Sequence, residues 1–600
     1  MNIDIVLVTY NSSKWIDNNI KSIASSNYDL KKINLYFFDN ASTDNTIEIL
    51  EKKKEKYDNE FNNFQIIKGK KNYGFGIANN KASEFGKSKY IFFLNIDTEI
   101  HSDTLSKIEK EITETSDAKI GIWELKQQPY EHPKYYDPMT GEVSWSSGAC
   151  FIIKRELFKK VKGFDKHIFM YCEDVELSWH VRKLGYKIKY LPNVPINHYS
   201  YENESTFKVN QYVYGIVNNL YLRNKYGSLK QIIIGHKMFL KSYLTLHRNE
   251  NVSKMGVDKI KKKLKKAKFK IDIVSFFTIL SRFKYIFVSD KFEPTFLIYD
   301  YEKIKDGAFY VKKGCVSHPK VSVIVRTCGR PDTLRETLIS IRRQTYPNIE
   351  TIVVEDGKEV SKNMIEKEFS DMDIVYKATI EKVGRCVVGN IGLSMANGKY
   401  FNFLDDDDVF YNDHVEVLVS ELQHCKEKVV YSTALETSIN VNSKKPYIYE
   451  VKDKKIRYSF EFSYLRIFTG NFLPIQSVMF DREVYENVGN INEKMDALED
   501  WDFWIRCALQ YPFKFIKKTT SVYRVPFEKK EQKERNQFLL EPLTEIRNKY
   551  SKTKIEITAA DVYKYNEIVD WEREQQLLEI LNQGRINNFL NRVKKVIKRK

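Results

Sequence analysis

Short apolar runs alternate with amphipathic stretches along the first hundred residues. Residues 3–8, 35–38, 65–68 and 90–95 read as strands, and residues 14–25, 44–56 and 77–85 between them carry apolar positions at helical spacing. This alternation predicts βαβ units and a mainly parallel sheet, an α/β fold. The pattern then returns, with strands at 322–326, 350–354, 373–376 and 400–404. A period of roughly 300 residues is far longer than the ~20–50 residues of a solenoid unit, so it signals two copies of a whole domain.

Landmarks keep their order between the copies. Asn80/Asn390 and Asp97/Asp407 are each offset by 310 residues, Asp39/Asp356 by 317 and Glu173/Glu499 by 326. The expected organisation is an α/β domain over 1–205, a helical spacer over 206–318, a second α/β domain over 319–526 and a helical, basic region over 527–600. The spacer reads as helices at 212–226, 229–245, 257–268 and 271–283. Near the end, Phe589, Leu590, Val593, Val596 and Ile597 form one helical stripe, flanked by Arg592, Lys594, Lys595, Lys598 and Arg599. Such a helix can lie in the interface of an anionic membrane, or pack on the preceding domain with its basic face in water.

Length, charge and cysteine usage narrow the classes. At 600 residues the chain exceeds a single core. No apolar run approaches the ~20 residues that cross a bilayer, and no secretory signal pattern opens the chain. Seven cysteines, odd in number and without CxxC spacing, fit a reducing, cytoplasmic setting. A net charge of +18 favours an anionic partner: nucleic acid, an anionic membrane surface or phosphorylated small molecules. A nucleic-acid-binding or scaffold protein is the reading from another class, but the chain shows no RNP-like aromatic and basic motif, and no nucleic acid partner is expected.

The acidic residues carry the chemistry. Asp405, Asp406, Asp407 and Asp408 follow a buried strand, where adjacent carboxylates repel one another unless a cation is shared between them. Side chains alternate on an extended chain, so Asp405 and Asp407 face one way and Asp406 and Asp408 the other. Oxygen ligands select Mg²⁺ or Mn²⁺, ions commonly shared with substrate phosphates. The first copy offers a thinner version, Asn95-Ile96-Asp97, with His198 as a candidate helper. Glu173-Asp174 and Glu499-Asp500 each open an aromatic-rich helical segment. They read either as helix caps or as general bases for an acceptor hydroxyl.

These residues resemble the GT-A glycosyltransferases of family 2, inverting enzymes that use nucleotide sugars. The first copy is similar to the rhamnosyltransferase-like branch through Thr9-Tyr10-Asn11, Asp39-Asn40-Ala41-Ser42, Asn72-Tyr73-Gly74, Ser147-Gly148, Gly163-Phe164-Asp165, Glu173-Asp174 and His198. The second carries Val353-Val354-Glu355-Asp356-Gly357, Gly384-Arg385, Asp405 to Asp408 and Glu499-Asp500-Trp501. The resemblance implies two Rossmann-like GT-A domains. It implies that Thr9, Tyr10, Asn11, Asp39, Asn80, Arg326, Asp356, Arg385, Asn390 and Asp406 bind the nucleotide sugar. Asp97, His198, Asp405 and Asp407 would hold Mn²⁺ or Mg²⁺, and Asp174 and Asp500 would act as bases beside Glu173 and Glu499. The family's metal motif is degraded in the first copy, and no histidine stands near Tyr523-Arg524 in the second.

A nucleotidyltransferase would instead open with a Gly-rich basic loop after the first strand, which Asn11-Ser12-Ser13 is not. The expected activity is a bifunctional inverting glycosyltransferase, moving sugars from nucleotide-sugar donors to a glycan or lipid-linked oligosaccharide acceptor in bacterial surface polysaccharide synthesis. Its expected place is the cytoplasm, peripheral at the inner face of the membrane. The alternative within the class keeps only the second domain catalytic, with the first as a degenerate binding domain.

Overall fold

The computed structural model describes residues 1–199, 208–282, 304–570 and 572–573, together with positions 294 and 296. The chain divides into two compact units, Met1–Val311 and Lys312–Lys600. The first unit is built on one mixed, nine-stranded sheet: β1 (Ile3–Thr9), β2 (Ile33–Asp39), β3 (Asn63–Lys68), β4 (Tyr90–Leu94), β5 (Thr98–Ile100), β6 (Ile120–Gln128), β7 (Glu142–Val143), β8 (Cys150–Lys154) and β9 (Lys187–His198). Their order is β3-β2-β1-β4-β8-β6-β9-β5, with β7 on β9. Strands β3, β2, β1 and β4 run parallel; β8 pairs antiparallel with β4 and β6. Every residue of β2 and β4 is buried, as expected where helices cover both faces of a parallel sheet.

The second unit repeats the plan strand for strand. Its strands are β10 (Val321–Thr327), β11 (Ile349–Glu355), β12 (Ile374–Ala378), β13 (Tyr400–Asp405), β14 (Val409–Phe410), β15 (Val429–Lys444), β16 (Tyr447–Ile456), β17 (Val478–Asp481) and β18 (Phe513–Pro526). The order is β12-β11-β10-β13-β17-β15-β18-β14, with β16 on β15. The antiparallel and returning strands of both units are absent from the sequence reading, which stops at the fourth strand of each copy.

Ladder register corrects one pairing of landmarks. Thr9 lies opposite Asp39 and Thr327 opposite Glu355, so the structural counterpart of Asp39 is Glu355, and that of Asn40 is Asp356. In the same register Arg326 lies opposite Asp405 and takes the place of Val8.

Two asparagines expected to touch the donor instead hold backbone. Asn80 donates from Nδ2 to the Phe164 carbonyl at 2.9 Å and accepts the Phe164 N–H on Oδ1 at 2.8 Å. Asn390 does the same to Ile491, at 3.0 and 2.8 Å, and also donates to Glu493. Gly163 completes the first clamp: at φ +71° a Cβ there would stand 2.4 Å from the Asn80 Oδ1. A carboxamide engaged on both sides by the backbone of one residue has little left for a ligand.

The helices Val209–Tyr226, Leu229–Leu244 and Val257–Ser281, in the stretch read as a spacer, fall within the first compact unit. The last is one helix of 25 residues; the expected break at 269–270 does not occur. No glycine or proline interrupts it, and Ile260, Leu264 and Ile271 form one buried stripe with Val213, Val217 and Tyr221. Asn218 donates to the carbonyls of Met170 and Tyr171 at 3.0 and 2.8 Å, tying this layer to the segment before Glu173. The amphipathic stretch expected at 589–599 lies outside the described residues. No described helix is long and apolar enough to cross a membrane.

Replacing Asn80 or Asn390 by Ala leaves a buried N–H and a buried carbonyl unpaired, a loss of about 2–4 kcal/mol in the unit concerned. Urea unfolding of each variant, followed by tryptophan fluorescence, checks this.

Candidate active site

In each unit the carboxyl ends of the central parallel strands converge, the place where open α/β sheets bind ligands. In the first unit Asp39, the last residue of β2, is buried and accepts from Thr9 Oγ1 at 3.0 Å, from Ser42 Oγ at 2.5 Å and from the Ser42 N–H at 3.0 Å. Asn11, at φ 50°, accepts the Thr43 N–H and donates its own N–H to Ser42, so the loops after β1 and β2 are stitched together. Tyr10 stands exposed beside them. Asn40 accepts the Tyr73 N–H at 2.8 Å, and Gly74, at φ +85°, has no room for a Cβ, which would lie 2.2 Å from the Phe169 carbonyl oxygen.

The second unit holds the same loop with Asp356, which accepts the Val383 N–H at 2.7 Å and the Gly384 N–H. Asp356 also lines an open pocket of about 400 Å³ with Gly329, Lys358 and Lys382. Arg385, at the start of helix Arg385–Met395, is exposed and within electrostatic reach of Asp405.

The four aspartates of the second unit alternate as the strand geometry predicts. Asp406 and Asp408 are buried, while Asp405 and Asp407 are partly exposed, at 30 % and 38 % of the side chain. Their partners are guanidinium groups. Arg326 forks onto both oxygens of Asp405 at 2.8 and 2.9 Å and reaches Glu499 Oε1 at 2.8 Å. Arg330 binds both oxygens of Asp406 and donates to Asp407 Oδ2 at 3.0 Å. The Arg524 backbone donates to Asp408 Oδ1, and its guanidinium contacts the Asp407 carbonyl, Glu336 and Tyr449. Burial works to raise the Asp405 carboxyl, but Arg326 outweighs it and holds the group below its ordinary range. Burial pushes Asp406 up to about 7 against the pull of Arg330. Asp408 is pushed far up by burial and by its neighbours Asp407 and Asp405.

Two expected ligand contacts change as a result. Arg326 is buried and engaged on both sides, and Asp406 is a buried anchor for Thr327 and Arg330, so neither presents a free group to a nucleotide. The metal expectation changes as well. Both oxygens of Asp405 and one of Asp407 face arginine, and no cluster of three or more His, Cys, Asp or Glu side chains suited to a cation occurs among the described residues. The donor set of the second unit, as folded, therefore does not fit a divalent ion.

The first unit fits better, despite its degraded motif. His198 sits 3.4 Å by Nε2 from Asp97 Oδ1, on β9 where it pairs with β5. Its Nδ1 lies 2.8 Å from Gln127 Oε1, a contact that orients the ring and leaves Nε2 facing Asp97. Nε2 is buried and has no hydrogen-bond partner among the described residues. Burial would raise the Asp97 carboxyl, yet His198 holds it below the usual range. One oxygen and one imidazole nitrogen aimed at the same space are ligands for a borderline-hard cation such as Mn²⁺.

The Glu-Asp pairs close each site from the other side. Helices Glu173–Lys183 and Glu499–Ala508 follow left-handed residues, Cys172 at φ 72° and Leu498 at φ 58°, conformations that cost non-glycine residues energy and aim the first turn. Asp174 accepts the Gly148 N–H at 2.8 Å, and Asp500 accepts Asn471 Nδ2 at 2.8 Å. Glu173 is buried, its Oε2 has no hydrogen-bond partner among the described residues, and burial and then Asp174 push it up to about 8. Burial, then Glu499, pushes Asp500 up to about 7. The Ser147 N–H, beside Gly148, donates to Glu124, which is buried against Lys134 Nζ at 2.5 Å.

Gln127, the Glu124–Lys134 pair, Arg330 and Asn471 are the site residues that sequence reasoning missed. Only Arg330 had a visible signal, four residues beyond Arg326 in the loop after a strand.

Two chains of strand-end acids, each closed by a Glu-Asp helix start, match a known family. The glycosyl transferase family 2 model matches residues 4–177 and 322–489, more than half of the chain. The chain belongs to that family. Both family 2 domains adopt the mixed, mostly parallel GT-A sheet, and the protein is a glycosyltransferase.

Among curated relatives, the Bacillus subtilis (strain 168) glycosyltransferase YwdF is 28% identical over 204 residues, which span 34% of this chain and 74% of that protein. Glycosyltransferase GlyA of Streptococcus pneumoniae serotype 4 is 41% identical over 105 residues, 17% of this chain and 15% of that protein. Among solved structures, S. aureus TarS is similar at 18% identity over 34% of this chain and 37% of that one, with a TM-score of 0.29. The Pyrobaculum calidifontis mannosyltransferase PcManGT, solved with GDP-Man and Mn²⁺, is 15% identical over 46% of this chain and 87% of that one, with a TM-score of 0.30.

Mn²⁺ titrated into the protein and followed by electron paramagnetic resonance is expected to load about one ion per chain. His198→Ala should abolish that binding and Asp407→Asn should leave it unchanged. Glu173→Gln should stabilise the first unit by a growing margin as pH rises from about 5 to 8. A buried carboxyl held near 8 binds a proton that the unfolded chain, titrating near ~4.3, has released, so the wild type loses stability across that window. Thermal melts of both proteins at several pH values check the trend.

Proposed function

We propose that each unit transfers a glycosyl group from a nucleotide-sugar donor to a hydroxyl of a growing glycan or lipid-linked acceptor, with inversion at the anomeric carbon. The observation that carries this reading is the duplicated Glu-Asp pair. In both copies the glutamate points inward, 6% and 2% exposed, while the aspartate beside it is the more open of the two. Glu499 is engaged by Arg326, and Oε2 of Glu173 is enclosed without a hydrogen-bond partner among the described residues. Asp174 and Asp500 are therefore the proton acceptors; burial raises the carboxyl of each, and at Asp500 Glu499 adds to that push.

The acceptor oxygen attacks the anomeric carbon while the bond from that carbon to the donor's phosphate oxygen breaks. The electron pair leaves with the nucleoside diphosphate, and the acceptor proton passes to Asp174 or Asp500. The Gly148 N–H and the Asn471 amide hold each base in position. In the first unit Asp97 and His198 would hold Mn²⁺ or Mg²⁺, which when bound supplies positive charge to the leaving diphosphate. In the second unit the cations at the strand ends are the chain's own Arg330, Arg385 and Lys382, all three exposed. Unlike pockets on one chain fit two different linkages in a bacterial surface glycan.

Asp174→Asn and Asp500→Asn are each expected to lower one of two transfer products by about 10²–10⁴-fold, the usual scale for removing a general base. Mass analysis of single-sugar products, with a panel of nucleotide sugars, separates the two activities; loss of both products in one variant, or of neither, contradicts the assignment. Because the Asp500 carboxyl is held at about 7, kcat/KM of the second unit should rise about tenfold per pH unit up to that value and then level off. An ordinary carboxylate base would already be flat above pH ~5.

A further inference from the structure

Helix Val257–Ser281 has an outer face that the core does not use. Ile260, Leu264, Ile271 and Ser275 turn inward. On the opposite side Phe269, Ile273, Phe276, Phe277 and Leu280, spaced i, i+4, i+7, i+8 and i+11, are exposed by 69%, 49%, 63%, 64% and 60%. Five large apolar side chains on one helical face in water are a liability for a soluble surface and mark a contact. Along the same face toward the helix start stand Lys259, Lys262 and Lys266, with Lys265 and Lys270 on its flanks, all exposed. The helix holds eight lysines against Asp258 and Asp272, and Asp272 is already paired with Lys268 at 2.5 Å. The neighbouring helix Leu229–Leu244 also turns Leu240 and Leu244 outward.

We propose that this face docks on an anionic phospholipid bilayer. Apolar rings in the last three turns would enter the acyl boundary, and the lysines would meet the head groups, the combination that interfacial helices use. A purely ionic partner such as nucleic acid has no use for Phe276 and Phe277, and an apolar protein groove has none for a field of lysines. The helix packs on Val209–Tyr226, whose Asn218 holds the carbonyls of Met170 and Tyr171 just before Glu173 and Asp174. Docking would then bring the first pocket near the lipid surface, a consequence that rests on the proposed transfer to a lipid-linked acceptor; the docking itself does not.

The test is co-sedimentation of the full chain with vesicles of phosphatidylcholine containing about a third phosphatidylglycerol, and with phosphatidylcholine alone. Wild-type protein should bind the anionic vesicles only. The double variant Phe276→Ser/Phe277→Ser and the quadruple variant Lys259→Gln/Lys262→Gln/Lys265→Gln/Lys266→Gln should each lose tenfold or more in partitioning, with far-ultraviolet circular dichroism unchanged. A third variant, Lys594→Gln/Lys595→Gln/Lys598→Gln/Arg599→Gln, should retain binding. The proposal is overturned if only the third variant loses binding, if the phenylalanine variant binds like wild type, or if no vesicle is bound. Self-association that light scattering detects in the wild type and not in the phenylalanine variant, without vesicle binding, would assign the face to a second copy of the chain instead. Transfer activity measured on a soluble acceptor in the same variants separates failure of docking from failure of the enzymatic reading, because the first should leave that activity intact.

Discussion

Crowding carboxylates at the ends of parallel strands is the constraint around which both halves of the protein are arranged. Negative groups a few ångströms apart, partly out of water, repel strongly, and each unit must offset that repulsion before any substrate arrives. The second unit does so with guanidinium groups: Arg326 between Asp405 and Glu499, and Arg330 between Asp406 and Asp407. The first unit removes charge instead. Val8 stands in the register position of Arg326, Asn95 in that of Asp405, and Glu173 stays buried with its carboxyl pushed up to about 8. A cation and two anions have been exchanged, together, for an aliphatic, an amide and a carboxyl that favours its proton.

That exchange has consequences for chemistry. Where arginines already hold the strand-end acids, little is left to bind a metal; where an aliphatic residue replaces the arginine, Asp97 and the buried Nε2 of His198 face each other at 3.4 Å. One fold thus carries two electrostatic designs for handling a departing diphosphate. The bases are treated more alike. Each follows a residue forced into the left-handed region, each is anchored by a neutral N–H donor, and each is backed by an enclosed glutamate.

The asparagine clamps illustrate how matched position can mislead. Asn80 and Asn390 recur at equivalent places in both copies, as a ligand-binding residue would, yet each fastens the loop that precedes the Glu-Asp helix. Their contribution to function is to fix that loop, and through it the distance from the base to the strand ends.

The sequence by itself determined the duplication, the α/β class, the parallel core strands and the Glu-Asp pairs, because local periodicity and short motifs record what each segment does alone. Alternation along the strand also foretold that Asp405 and Asp407 face one way and Asp406 and Asp408 the other; only the fold showed that the second pair is the buried one. Which groups neutralise which was decided only in three dimensions. Arg326 meets Asp405 across 79 residues and Glu499 across 173, and Gln127 orients His198 across 71. Composition and spacing carry no trace of such long-range partners. The one-residue shift that pairs Asp39 with Glu355 was equally invisible, since similar side chains in adjacent positions look alike until a ladder of backbone hydrogen bonds fixes their register.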